Sequence, residues 1–387
     1  MAFARMNHFS MDENMEEKKI AILASFSGTG GVERMISNLV NGFSAFGVKT
    51  DLLLIRADNL HYLDAIPNKV NLIKLKTRHN FTALPELIKF LKTERPHALL
   101  AAKDRAIFVA AMAKTLTKSK TRIVARLGTT VSEGIREKPL PTRIIRNLIM
   151  KLSYRLIDET ICVSRGVAED LANITGLKAT RFHVVRNPVI TEKLYKLSKE
   201  TINHPWLINK EIPVILGIGR LTRQKDFGTL IKAFHIVQQN IPSRLIILGE
   251  GGMRRELTEL IRGLKLKESV DLPGFTPNPY PYIKNADLFV LSSRWEGSPN
   301  ALTEALALGV PVASTDCPSG PKEILQNGRF GPLVPPGDYK ALAEAMIKVL
   351  KSPLPSKILQ QAVAEYTVEE SARRYLQILL GEKRLDT

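Results

Sequence analysis

The sequence predicts an α/β protein of two doubly wound domains facing across a cleft, and three observations carry that reading. Short apolar runs alternate with amphipathic stretches along most of the chain, the pattern of βα units around parallel sheets. At 387 residues the chain is long for one core and comfortable for two. Between the two stretches of alternation, residues 188–211 hold Pro188, Pro205 and little periodicity, as a linker does.

Taken in order, the first half predicts strands at 20–26, 50–55, 70–75, 97–102, 122–126, 159–163 and 183–186, with helices such as 32–46 and 84–93 between them. After the linker the pattern restarts. Strands are predicted at 214–218, 244–248, 270–272, 287–291, 310–314 and 332–334, and helices at 227–237, 254–264, 300–308, 321–325 and 339–350. The domains are therefore expected at 20–187 and 212–362. An amphipathic tail at 363–387 follows a second domain that is already complete. Residues 1–19 lack a continuous apolar segment, so they read as a frayed leader, not a secretory signal.

Composition narrows the class. With 44% hydrophobic and 24% charged residues, the chain is neither disordered nor collagen-like. Two cysteines, Cys162 and Cys317, exclude a disulfide framework and a cysteine-rich zinc site, and buried free thiols are expected. No uncharged apolar run approaches the roughly 20 residues that span a bilayer, which with the absent signal predicts a cytoplasmic protein. The formal charge of +18 is lopsided, because residues 1–200 carry 33 basic against 19 acidic side chains. Such a half suits an anionic partner: nucleic acid, anionic lipid or an anionic substrate. With aromatic residues at 6% and no base-stacking motif, a nucleic-acid-binding module ranks far behind.

Four strand-end segments could carry chemistry. Gly28-Thr29-Gly30-Gly31 opens a helix after the first strand, where Gly30 and Gly31 suit either a phosphate contact or a plain tight turn. Gly219-Arg220 through Lys225 brings cations to a second strand end, so Arg220 and Lys225 form either a diphosphate clamp or a solvated loop. The third segment is the strongest. Glu296, in the loop after 287–291, precedes Glu304 by eight positions, and Glu304 sits in an apolar helical run where an acid is awkward. Paired carboxylates beside a phosphate clamp suit sugar and ribose hydroxyls, and the helix start at Ser298–Asn300 adds backbone donors for an anion. In the fourth, Glu323 is equally a hydroxyl acceptor or an exposed first-turn acid.

Together these segments resemble the retaining nucleotide-sugar glycosyltransferases of family four, with the GT-B fold of two Rossmann-like domains. The likeness runs from Ile20 to the end and is densest over GRLTRQKDFGTLIKAF, SSRWEGSPNALTEALALGVPV, DCPSGPKEIL and GPLVPPGD. It implies that Arg220 and Lys225 bind the donor diphosphate, that Glu304 holds the ribose, and that Glu296 lies beside the donor sugar. Gly297, Ser298, Pro299 and Asn300 would line sugar and phosphate. Gly30 and Gly31 would close over the donor, with Gly219 at the diphosphate and Gly249, Glu250, Gly274 and Phe275 around the base. It further implies that the last helix crosses back to the first domain. Glu296, Arg220 and Lys225 are the expected catalytic residues. The chain has no Asp-x-Asp, which fits an enzyme without a metal or other cofactor whose donor is a nucleotide-diphosphate sugar, a uridine one being the commonest. Many relatives carry a histidine after the strand matching 122–126. Here Val124-Ala125-Arg126-Leu127-Gly128 has none, and Arg126 is either an acceptor or phosphate contact or a plain strand-end cation. A nucleotide-sugar epimerase or a transferase with a soluble acceptor remains open within the fold.

The basic half adds a partner. Residues 141–156 place Ile144, Ile145, Leu148, Ile149, Leu152 and Leu156 on one helical face, with Arg143, Arg146, Lys151 and Arg155 elsewhere and Arg136 and Lys138 just before. The apolar face is expected to pack in the core. The cations are expected to meet a saccharide or glycolipid acceptor or the anionic inner face of the cell membrane, making the protein peripheral there.

Overall fold

The computed structural model describes residues 18–26, 31–57, 63, 65–77, 81–136 and 138–381. The first sheet contains β1 (Ile20–Phe26), β2 (Thr50–Ala57), β3 (Asn71–Lys74), β4 (Ala98–Ala102), β5 (Arg122–Leu127), β6 (Glu159–Cys162) and β7 (His183–Val184). Its order is β3-β2-β1-β4-β5-β6-β7, parallel throughout. The helices of this half are α1 (Gly31–Ala45), α2 (Leu84–Thr93), α3 (Asp104–Thr117), α4 (Val131–Ile135), α5 (Leu140–Leu156) and α6 (Arg165–Thr175). Helices cover both faces, which is why the strands read as unbroken apolar runs. Leu23, Leu53, Leu99 and Ile123 face one core, and their neighbours Ile22, Leu52, Leu100 and Val124 face the other.

Past α7 (Glu192–Leu197) and α8 (Pro205–Ile208), the second sheet contains β8 (Val214–Ile218), β9 (Arg244–Leu248), β10 (Val270–Gly274), β11 (Leu288–Leu291), β12 (Val312–Thr315) and β13 (Leu333–Val334). Its order is β10-β9-β8-β11-β12-β13, again parallel. Around it lie α9 (Phe227–Asn240), α10 (Arg254–Gly263), α11 (Tyr280–Asn285), α12 (Asn300–Ala307), α13 (Pro321–Ile324), α14 (Tyr339–Lys351) and α15 (Ser356–Gln361). The strand order reverses between β1 and β4 in one sheet and between β8 and β11 in the other. Ligands of open α/β sheets bind beyond the strand ends at such a point.

The stretch read as a featureless linker contains α7 and α8. Both are shorter than two turns, too short to show a helical period, and both are capped: Leu194 donates its N–H to Thr191 Oγ1 at 2.9 Å and Trp206 to His204 Nδ1 at 3.3 Å. The N–H groups of Val189 and Ile190 both donate to the Tyr366 carbonyl, at 3.0 and 2.9 Å, so the two crossings between domains run side by side. Helix α16 (Val368–Leu380) then buries Ala372, Tyr375, Leu376 and Leu379 in the first domain's core beside α1. A Cβ on Gly42 would stand 2.6 Å from that of Ala372, so the glycine lets α1 and α16 close.

One expectation is overturned. The apolar stripe of α5 is not core-packed: Ile144 and Ile145 are each 58% exposed, Leu148 55% and Leu152 52%. The helix buries its opposite side through Met150, Ser153 and Tyr154. Arg146 is tied to Asp104 at the start of α3, which turns the stripe outward. Cys162 and Cys317 are buried free thiols, and burial pushes both up to about 12.

Tyr375 is fully enclosed between the domains' crossing helix and the first sheet. Tyr375→Ala is expected to destabilise the protein by about 3–5 kcal/mol, the usual cost of a large aromatic cavity, read as a lower denaturation midpoint in urea.

Candidate functional site

Beyond β8 and β11, two loops lace together. Arg294 donates its N–H to the Gln224 carbonyl at 2.8 Å, Gln224 Nε2 donates to the Trp295 carbonyl at 2.9 Å, and Ser292 Oγ donates to the Lys225 carbonyl at 2.8 Å. This frame brings Lys225 Nζ to 2.5 Å from Glu296 Oε1, which also accepts from Ser293 Oγ at 2.6 Å. Glu296 is buried and Lys225 half-buried. Arg220, at the start of the same turn, is exposed and has no side-chain partner among the described residues.

The glycines at the neighbouring strand ends pack shoulder to shoulder. Gly219 donates its N–H to the Leu248 carbonyl at 3.0 Å and Gly249 donates to Gly274 at 2.8 Å. Gly249 has φ +139°, and a Cβ there would lie 1.9 Å from the Gly219 carbonyl oxygen. Only glycine fits. Glu250 turns outward to Arg254, whose Nη2 is 2.5 Å away and whose guanidinium holds the exposed carboxyl below its ordinary range. Phe275 is exposed.

The rest of the site is made with the first domain. Glu304, on α12 and 2% exposed, pairs with Arg34 of α1, and Arg34 Nη1 also donates to the Tyr280 hydroxyl at 3.2 Å. Burial pushes the Glu304 carboxyl up, and the Arg34 charge opposes that shift. Asn300, at the start of α12, places its Nδ2 3.4 Å from the Gly31 carbonyl, and its Oδ1 accepts from Asn187 Nδ2 at 2.9 Å. The Ser298 carbonyl accepts from the same nitrogen at 3.4 Å, and the Pro299 carbonyl takes the N–H of Thr303 at 3.2 Å. The backbone of Gly297 touches the other domain: a Cβ there would stand 2.3 Å from the Gly128 carbonyl oxygen. Beside it, the N–H of Thr130 donates to the Glu296 carbonyl at 3.2 Å, as does its hydroxyl. Gly30 lies outside the described residues.

Two of the candidates have definite structural roles. Arg126 is 2% exposed and donates from Nη2 to Asn187 Oδ1 at 2.8 Å. It is thus a buried support for the residue that holds Asn300, not a cation presented to open solvent. Glu323 resolves as a bridge between domains. Its carboxylate accepts the N–H groups of Arg165 and Gly166 at the start of α6, both at 3.1 Å, and pairs with Arg186 Nη1 at 2.6 Å. A cavity of about 990 Å³ opens beside this bridge, lined by Arg165, Arg186, Asp316, Lys322, Glu323 and Tyr366. Lys225, Glu296 and Glu304 do not line it. Among the described residues, no cluster of three or more His, Cys, Asp or Glu is placed to hold a metal ion.

Reading the sequence gave no role to Arg34, Asn187 or Thr130. Arg34 follows Gly30 and Gly31 by one helical turn, which is a usable signal. Asn187 and Thr130 meet partners more than 110 positions away, with no local trace.

Two Rossmann-like domains with parallel sheets, facing one another across such a seam, are the architecture of the GT-B class. Residues 29–193 match the family model described as Glycosyltransferase Family 4, and residues 198–369 that described as Glycosyl transferases group 1. Both models describe glycosyltransferases, and between them they take in most of the chain. An uncharacterized glycosyltransferase of Methanocaldococcus jannaschii is 44% identical over 37% of this chain and 36% of its own, so the match spans about a third of that relative. The Campylobacter jejuni N-acetylgalactosamine-N,N'-diacetylbacillosaminyl-diphospho-undecaprenol 4-alpha-N-acetylgalactosaminyltransferase is 28% identical over 86% of this chain and 90% of its own. The Rhizobium meliloti lipopolysaccharide core biosynthesis glycosyltransferase LpsE is 26% identical over 92% and 98%. Among solved structures, Anabaena HepE in complex with UDP superposes with a TM-score of 0.75 at 19% identity, covering 94% of this chain and all of that one.

Arg34→Ala would leave Glu304 as a buried, uncompensated carboxylate. The expected loss of stability is about 3–5 kcal/mol near neutral pH. The sign with pH follows from protons. A carboxyl whose folded pKa is raised binds more protons folded than unfolded, so stability falls as pH rises above the unfolded value of about 4.3. The deficit of the variant should therefore be larger at pH 8 than at pH 5 in paired urea titrations.

Proposed function

We propose that the protein is a retaining, metal-independent glycosyltransferase. It moves a sugar from a nucleoside-diphosphate sugar, with uridine as the base, to a hydroxyl of a lipid-linked or lipopolysaccharide-type saccharide at the cytoplasmic face of the cell membrane. The observation that carries this reading is the Lys225–Glu296 pair beyond β8 and β11, at the strand-order reversal where a ligand belongs, with Arg220 open beside it.

In this reading Arg220 and Lys225 hold the diphosphate, as a planar fork and a point charge. Their charge offsets that which grows on the leaving nucleotide, the task a divalent cation performs in other folds. Glu304 accepts from the ribose hydroxyls and Glu296 from the donor sugar, because ionised carboxylates are strong acceptors for such donors. Gly297, Ser298, Pro299 and Asn300 line sugar and phosphate, Gly31 closes over the donor, and Gly249 and Gly274 leave room for the base. The bond from the anomeric carbon to the phosphate oxygen breaks as the acceptor oxygen bonds to that carbon from the same face. The acceptor proton passes to the departing phosphate, so configuration is retained and no side chain is assigned as general base. The protein's contribution is position and charge. The UDP bound to HepE supports a uridine donor, and the diphospho-undecaprenol in the Campylobacter relative's name supports a lipid-linked acceptor.

A thermal-shift panel of nucleoside diphosphates and their sugars tests the donor, since a ligand bound to the folded state raises Tm by mass action. UDP and a UDP-sugar should raise it most. Lys225→Ala and Arg220→Ala should each weaken UDP binding by about 10–100-fold, the value of a charge-assisted hydrogen bond, and Glu304→Ala should weaken uridine-nucleotide binding similarly. Unchanged affinity in all three variants would remove the site assignment.

A further inference from the structure

Half of the twelve large hydrophobic side chains that stand exposed among the described residues lie on α5: Leu140, Ile144, Ile145, Leu148, Leu152 and Leu156. Exposed apolar side chains scattered singly are ordinary, but six on one 17-residue helix form a contiguous surface that needs a partner. At about 100° per residue, these six fall within an arc of about 160°. Lys151 and Arg155 project from that same arc, both exposed and without a side-chain partner among the described residues. Arg143 lies about 60° outside it, and Arg136 and Lys138 stand exposed just before the helix. Residues 138–157 contain no aspartate or glutamate.

We propose that the outward face of α5 is a docking surface for an anionic lipid bilayer, on which the helix lies in the plane of the membrane. The six apolar side chains enter the acyl boundary. Lys151 and Arg155 run their aliphatic stems along the same surface and carry their charge up to the head groups. Charge selects this occupant. A second copy of the chain meeting the same face about a two-fold axis would set Lys151 and Arg155 against their own kind with no acid to answer them, whereas anionic head groups supply the missing sign. The helix rests on the bilayer and does not cross it. It has 17 residues and four cations, and no helix of the described residues is long and apolar enough to span. The inference deepens the membrane-face part of the proposed function and rests on it only in taking the acceptor to be lipid-borne.

The test is co-sedimentation of the whole protein with vesicles of phosphatidylcholine alone and with about a third phosphatidylglycerol. The protein should bind the anionic vesicles at low salt, with affinity falling as salt rises. The double variant Leu148→Glu/Leu152→Glu should lose at least about tenfold in affinity, and Lys151→Glu/Arg155→Glu should lose a similar factor on anionic vesicles only. Because all four side chains face outward, Tm should stay within about 2 °C of the parent, and the UDP-induced rise in Tm should be unchanged. Vesicle binding that is absent in the parent, or unchanged in Leu148→Glu/Leu152→Glu, would overturn the proposal. So would a dimer in sedimentation velocity that this variant converts to monomer, because a second copy would then own the face. Absence of any UDP response with vesicle binding intact would instead overturn the donor reading.

Discussion

The seam between the two domains is joined by ion pairs that reach from one side to the other. Glu304 on α12 is answered by Arg34 on α1, and Glu323 on α13 by Arg186 and two backbone N–H groups of α6. An unpaired carboxylate in such a place would cost several kcal/mol, more than most single contacts in a fold contribute. The relative placement of the domains is thereby tied to charge pairing. Apolar packing adds the crossing helix α16, which anchors the end of the chain in the first domain's core.

Further hydrogen bonds refine the same seam. Asn187 receives from Arg126 on one side and gives to Asn300 on the other, so a cation buried near the end of β5 positions the first residue of α12. Thr130 meets the backbone of Glu296 through both its N–H and its hydroxyl. The candidate site is thus built on supports from both domains, although its acids and the cations Arg220 and Lys225 come from the second. On the proposed function this matters for catalysis. Side chains fixed before the donor arrives need little reorganisation as charge moves onto the leaving phosphate. Lys225 and Glu296 already neutralise one another, so a diphosphate must compete for a lysine that is held in place, while Arg220 is open to be recruited.

The sequence makes the strands legible for a physical reason: sheets covered on both faces need continuous apolar runs, as in Ile20–Phe26 and Arg244–Leu248. The candidate acids and cations also stand out in the sequence, since Glu304 lies in an apolar helix against simple burial rules and Arg220 and Lys225 cluster just past a strand end. What stayed hidden depends on the third dimension. Periodicity identifies the apolar stripe of α5 but is silent on what covers it, and its expected burial in the core does not occur. Short capped helices such as α7 carry too few residues for a period. Glu323 remained undecided because its partners, Arg165, Gly166 and Arg186, lie well over a hundred positions earlier.

One connection ties the outward helix to the site. The segment leaving β5 passes Gly128 and Thr130, both against the Glu296–Gly297 backbone, then forms α4 and reaches α5 ten residues after Thr130. Asp170 of α6 holds the start of α4 by accepting the N–H groups of Val131 and Ser132 at 2.7 and 3.2 Å, so this path is braced where it leaves the site. A bilayer bound along α5 would therefore sit at a fixed offset from the strand ends where the donor is proposed to bind. For an acceptor carried by a lipid, that offset does the work of a binding pocket: it sets how far the reacting hydroxyl stands above the membrane, and confinement to a surface replaces a search through solution.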